Sequence, residues 1–234
     1  MKDQYFGDIN DYRKYGLLRA IINAGDFRLM VAWMLTPDDG SKDGKRTSYL
    51  DCPTKLGHHD PELFHTIKKL LANDQKRQVK LIENSDLLQK VNYFSDTLKN
   101  SAPERSSWFD TLIQKSRESN FVFLDPDNGL EVKSREYGRK NSSKYLYWHE
   151  VQTLWTTGKS LLIYQHFPFE KRHAFIPRIL VELQRMTPGS LVDAFSTPHV
   201  VFLMALQPTH HETREAIVRT VQQNWKGQIQ PWDR

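Results

Sequence analysis

The chain has 234 residues, 38% of them hydrophobic, and carries 33 Lys and Arg against 28 Asp and Glu for a formal net charge of +5. That length suits a single α/β domain over 1–234 with a substantial core, and no apolar run approaches the roughly 20 residues of a membrane span. A lone cysteine, Cys52, excludes an internal disulfide and a cysteine zinc cluster. The basic surplus permits nucleic acid as a partner without requiring it.

The opening MKDQYFGDIN lacks the apolar core of a secretory signal, and with the lone cysteine this predicts a cytoplasmic location. Residues 8–24 read as a helix, with Asp8 or Asn10 as cap, Tyr15, Leu18, Ile21 and Ile22 as an apolar stripe, and Gly25 as the stop. RLMVAWMLT (28–36) reads as a strand ending in the turn Pro37-Asp38-Asp39-Gly40, and SKDGKR (41–46) as a surface loop. TSYLD (47–51) is predicted as a short strand, and Asp60-Pro61-Glu62 opens a helix through Leu71.

QVKLIE (78–83) is predicted as a strand and 85–118 as helical with a break near Pro103. FVFLD (121–125) is a strand, 133–144 a basic loop, 145–157 a helix, SLLIYQHF (160–167) a strand, and 170–186 a helix holding Pro177. SLVDAFS (190–196) and HVVFLMAL (199–206) are too close for a parallel crossover, so an antiparallel C-terminal hairpin is expected before a last helix at 210–225. The alternation predicts a Rossmann-like fold, a mainly parallel twisted sheet with helices on both faces.

In such sheets ligands bind beyond the carboxyl ends of the strands. The tips PDDG, ENSD, DPDNG and YQHF are therefore expected along one crevice. Glu83, at the end of its predicted strand, stands where an acid binds ribose hydroxyls. His166 is a candidate general base or hydrogen-bond donor, with a structural histidine as the alternative. Lys133, Arg135, Arg139, Lys140 and Lys144, interleaved with Tyr137, Tyr145 and Tyr147, suit a nucleic-acid backbone with stacked bases, or a solvated loop over core tyrosines. The pairs His58-His59 and His210-His211 lack a third ligand at sensible spacing and read as surface residues, so no metal site is assigned to them.

Asp125-Pro126-Asp127-Asn128-Gly129 admits three readings: an acceptor site for an amine, a strand-end turn with no function, or a Mg²⁺ or Mn²⁺ site of Asp125, Asp127 and Glu131 that activates water on a phosphodiester. Pro126-Asp127 with Glu131-Val132-Lys133 imitates a nuclease core, but three intervening residues leave no room for its hairpin.

The order of elements resembles the class I S-adenosylmethionine-dependent methyltransferases. Phe6-Gly7-Asp8-Ile9-Asn10-Asp11-Tyr12-Arg13-Lys14 is similar to the amino-terminal Gly-Asn-x-x-Asp-x-x-Lys segment of the ribosomal-RNA adenine-N6 methyltransferases, and Asp125-Pro126-Asp127-Asn128 stands where they carry Asp-Pro-Pro-Tyr. The resemblance implies S-adenosylmethionine as cofactor near Gly7, Asp8, Asp11, Lys14, Asp38, Asp39 and Glu83. It implies a nucleic-acid base held at Asp125, Asp127 and Asn128, where catalysis is mostly positioning. Two departures stand out: only one late glycine follows the first strand, and Asp127-Asn128 replaces the aromatic that stacks on a flipped base. A non-catalytic binding module on the same scaffold is the remaining alternative.

Overall fold

The computed structural model describes residues 1–41, 43–73 and 76–232. The strands are β1 (Leu29–Ala32), β2 (Val91–Phe94), β3 (Phe121–Leu124), β4 (Gly129–Leu130), β5 (Tyr145–Leu146), β6 (Ser160–His166), β7 (Leu191–Ser196), β8 (Val200–Leu206) and β9 (Gln230–Pro231). The helices are α1 (Ile9–Ala24), α2 (Pro53–Leu56), α3 (Pro61–Asn73), α4 (Lys80–Glu83), α5 (Ala102–Lys115), α6 (Trp148–Thr156), α7 (Arg172–Met186) and α8 (Arg214–Asn224).

Seven strands form one sheet in the order β2-β1-β3-β6-β8-β7-β9, and β4 and β5 make a separate two-stranded pair. β2, β1, β3 and β6 are mutually parallel; β8 runs antiparallel to both β6 and β7, so β7 points the same way as the parallel set. β1 and β3 are buried at every position, as a strand covered on both faces must be. Their side chains alternate between two cores. Leu29, Val31, Phe121 and Phe123 pack with α1, α3 and α8, while Met30, Ala32, Val122 and Leu124 pack with α5, α6 and α7.

α1 starts where the sequence places it: the Asp8 carboxylate accepts hydrogen bonds from the backbone N–H of Asn10 (2.7 Å) and Asp11 (3.1 Å). From β1 the chain goes to one side for β2 and returns to the other side of β1 for β3. Such a reversal leaves a crevice beyond the carboxyl ends of the two central strands. Among the described residues no helix is long and apolar enough to cross a membrane.

Three predicted elements are corrected. The segment 78–83 is not a strand: Val79 and Ile82, three apart, are buried on one turn that becomes α4, whereas a strand would bury alternate residues. The strand in this part of the chain is β2, inside the run read as helical; α5 occupies only its end, with Pro103 in the first turn. Residues 48–51 form a single 3₁₀ turn in place of the predicted strand TSYLD: the Leu50 N–H donates to the Thr47 carbonyl at 3.0 Å and the Cys52 N–H to the Tyr49 carbonyl at 3.1 Å. Within the predicted loop 41–46, Lys42 lies outside the described residues.

Candidate functional site

A cleft of about 720 Å³ opens beyond the carboxyl ends of β3 and β6, between them, the start of α1 and residues 43–46. Asp125 to Asn128 line it from β3, Tyr164 and His166 from β6, and Asp8, Asp11 and Lys14 from α1. Gly129 aims the DPDN turn. Its φ of +116° is open to glycine, and a Cβ there would lie 2.4 Å from the Gln165 Oε1 that accepts the Leu130 N–H at 2.7 Å.

The floor is a set of buried ion pairs. Lys14 Nζ lies 2.6 Å from Asp11 Oδ1 and 2.7 Å from Asp125 Oδ2, within 6 Å of the ring centroids of Tyr15, Trp33 and Tyr164. Burial works against the Lys14 charge, but Asp11 and Asp125 outweigh it and hold the ammonium well above its usual range. Burial likewise pushes the Asp125 carboxyl up, only partly opposed by Lys14 and the Met1 ammonium. Beside it Lys2 Nζ bridges Asp127 Oδ2 (2.9 Å) and Asp39 Oδ2 (3.0 Å), and the Met1 nitrogen donates to the Asp125 carbonyl at 3.0 Å.

Asp127 differs from its neighbour. Burial raises its carboxyl, but the Met1 ammonium and Lys2 more than compensate, so it is held below the ordinary range and stays ionised. Its Oδ2 is taken by Lys2, whereas Oδ1 is buried with no hydrogen-bond partner among the described residues; the Met1 nitrogen lies 3.8 Å from it. A buried anionic oxygen without a donor is costly. It fits a ligand N–H or O–H.

Asp8 is pushed up to about 6, first by burial and then by Asp11. Between its ordinary 3.8 and 6 the native chain holds a proton that the unfolded chain has released, so stability falls as pH rises through that window. Asp8→Asn keeps the helix cap and removes the charge. It is expected to be more stable than the parent at pH 8 by about 1–3 kcal/mol and to lose the decline between pH 4 and 6. Urea unfolding at a series of pH values checks this; superimposable profiles would refute it.

The predicted site residues divide. Asp125, Asp127, Asn128, His166, Asp8, Asp11 and Lys14 meet at the cleft, and Gly7 adjoins it, donating its N–H to Asp11 Oδ2 at 2.9 Å. Asp38 and Asp39 stand on the exposed turn outside, where Asp38 accepts from the Gln4 N–H and Asp39 reaches the site only through Lys2. Glu83, expected at a strand end, ends α4 and accepts from the Trp33 indole at 2.8 Å. At the end of β1, Trp33 and Met34 are fully buried, and Met34 and Asp125 present carbonyls to the Met1 nitrogen.

Lys133, Arg135, Arg139 and Lys140 are exposed and away from the cleft; Lys144, half-buried, comes within 3.8 Å of Asp127. The tyrosines of that loop are not free platforms, since Tyr137 and Tyr147 pack edge to face and both lie under Arg105. The carboxylates considered for a divalent cation do not converge: Glu131 accepts from the Trp148 N–H, while Asp125 and Asp127 hold ammonium groups. Among the described residues no group of three His, Cys, Asp or Glu is disposed to hold a metal. Of the histidine pairs, His59 donates its Nδ1–H to the Asn224 carbonyl and His210 shares a hydrogen bond with the Ser160 hydroxyl, both partly buried rather than free at the surface.

Met1, Lys2, Arg46 and His199 complete the site without a local sequence signal, because their partners are distant in the chain, whereas Tyr164 belongs to the strand tip YQHF expected at the crevice. Asp11 and Lys14, marked in the sequence by the resemblance of the segment 6–14, stand i, i+3 on α1 and pair at 2.6 Å. Comparison with models of protein families and with curated proteins finds no match.

Proposed function

We propose that this chain is a methyltransferase-like enzyme that binds S-adenosylmethionine and acts on an amine of a nucleic-acid base. One atom carries the reading: Asp127 Oδ1, ionised, buried and without a donor, in a turn that lines the cleft. It accepts one N–H of the base amine and so fixes the direction of the nitrogen lone pair. Asn128 offers a second polar contact in the same turn. S-adenosylmethionine would supply a methyl group on a sulfonium; Asp8 lines the cleft to meet it, while Asp11 and Lys14, engaged with each other and with Gly7 and Asp125, would form the floor beneath. Asp8, titrating near 6, lines the same cleft and is suited to take the proton that the amine sheds at neutral pH. The sheet reversal supports a Rossmann-like description, and the lone, exposed Cys52 fits a cytoplasmic setting.

S-adenosylhomocysteine is expected to raise the melting temperature by several degrees without divalent cations. In Asp127→Asn, Lys2 retains the amide oxygen and the NH₂ faces the incoming amine, donor against donor. Methyl transfer to single-stranded nucleic acid should fall about a hundredfold, at a temperature where the variant, which melts lower because Lys2 loses its charged partner, is still folded. A chain that ignores S-adenosylhomocysteine and S-adenosylmethionine yet binds nucleic acid would be the non-catalytic module instead.

A further inference from the structure

At one end of the cleft cations outnumber acids. Lys45, Arg46 and His199 line this end, and among the described residues no ion pair engages Lys45 or Arg46. Behind them, Arg13 is buried and spends its guanidinium on neutral amides, Gln228 Oε1 at 2.8 Å and Asn10 Oδ1 at 3.5 Å. Arg172 stacks on Phe167, 4.3 Å from the ring centroid, and donates to the carbonyls of Thr197 and Pro198, the turn that carries His199. The carboxylate facing this group is Asp8, whose hydrogen bonds go to the α1 cap; Asp43 lines the cleft on the residue 43–46 side.

The arrangement is built rather than loose. The Arg46 carbonyl accepts the Ile9 N–H at 3.1 Å, which fixes the strap to the start of α1. Gly44, at φ +73°, packs so closely on Tyr5 that a Cβ would lie 2.3 Å from the ring. Partial desolvation and then Arg46, Arg13 and Arg172 together disfavour the protonated form of His199, so three guanidinium groups act on one imidazole. Held together with more positive charge than the facing Asp8 supplies in return, guanidinium groups repel, and a tetrahedral oxyanion relieves the repulsion while matching their forked donors.

We propose that Arg46 and His199, backed by Arg13 and Arg172, form a phosphate site at the mouth of the cleft. The site deepens the function proposed above, on whose ligand cleft it rests: a nucleotide with its phosphate here would extend its base toward Asp127. It also moves the phosphate contact from the loop 133–144, where the sequence suggested it, to the strap and the β7–β8 turn. The phosphate has two sources, a polynucleotide diester or the monoester of a free nucleotide.

The test reads binding alone, with no methyl donor, so that its failure is separate from failure of the methyltransferase reading. Anisotropy of a labelled single-stranded oligonucleotide is measured over a salt series, with adenosine and adenosine monophosphate as competitors, for the parent, Arg46→Ala and the loop control Lys140→Ala. Arg46 is exposed, so its variant should melt with the parent. A diester site predicts about tenfold weaker oligonucleotide binding in Arg46→Ala, a salt slope shallower by about one, and little change in Lys140→Ala. A monoester site predicts competition by the monophosphate but not by adenosine, lost in Arg46→Ala. Binding by Arg46→Ala within twofold of the parent at an unchanged slope, or no binding of either ligand to the parent, would overturn the proposal.

Discussion

Lys14→Met is expected to cost the fold about 3–5 kcal/mol, read as a lower urea midpoint at pH 7. Methionine keeps most of the apolar stem among Tyr15, Trp33 and Tyr164, so the loss isolates the ammonium. That ammonium is the shared partner of two buried carboxylates, at 2.6 and 2.7 Å, and without it they stay in the interior with their charge uncompensated. In the parent the folded-state value of Lys14 is raised, so its contribution is fully present below the ordinary 10.5 and fades only as pH rises through the higher folded value.

The variant moves the pH dependence to the acid range. Asp125, already pushed up by burial, loses its main opposing charge and is favoured neutral in the fold. The native variant then binds more protons than the unfolded chain above pH 4, its stability falls with rising pH, and its deficit should be smallest near pH 4. Asp125→Asn in the Lys14→Met background should recover part of the loss, a coupling that a double-mutant cycle measures. A loss below 1 kcal/mol, independent of pH, would mean that the triad is not the electrostatic centre of the fold.

The parts of the fold that were legible in the sequence are those with one dominant local cause. β1, β3, β6, β7 and β8 announce themselves as apolar runs because strands buried on both faces have no polar side to show. α1 is marked by a capping aspartate. β2 escaped because it is the edge strand: Val-Asn-Tyr-Phe buries only Phe94 fully, and it follows Lys90 at φ +55° rather than a glycine or proline. Val79-Lys80-Leu81-Ile82 offers both a period of two and a period of three, and only packing against α1 and α3 decides between them.

The site shows the same division. Asp125 and Asp127 follow from where a buried strand ends, whereas Asp11 and Lys14 were reached only through the resemblance of the segment 6–14. The lysine that neutralises Asp127 sits 125 residues away in sequence, and no periodicity reports such a contact. Glu83 was misplaced for the reason that its strand was, since an acid at a strand end and an acid ending a single helical turn look alike without the sheet around them.

Arg105→Met is expected to lose about 3–5 kcal/mol and to free the basic loop. Arg105 lies on α5 with no solvent exposure and spends its donors on three partners. Nε and Nη2 form a fork on the Glu150 carboxylate, both at 2.7 Å; Nη1 reaches the Ser142 carbonyl at 2.9 Å; and Nη2 also reaches the Tyr145 carbonyl at 2.7 Å. Its guanidinium lies 4.8 Å from the Tyr147 ring centroid and 5.5 Å from that of Tyr137. Glu150 Oε2 in turn accepts the Tyr147 N–H at 2.9 Å and caps α6. One side chain thus ties α5 to α6 and closes the loop that leaves the sheet at β4 and returns at β5.

Methionine fills part of the volume but leaves Glu150 charged and buried and two carbonyls without donors, so amide exchange over 136–147 should accelerate well beyond that of α5 itself. Arg105→Lys should restore some stability and little of the exchange protection, because an ammonium cannot reproduce the fork on Glu150 while also reaching both carbonyls. Loss of stability with unchanged exchange in the loop would separate the two roles and show that β4 and β5 hold the loop unaided.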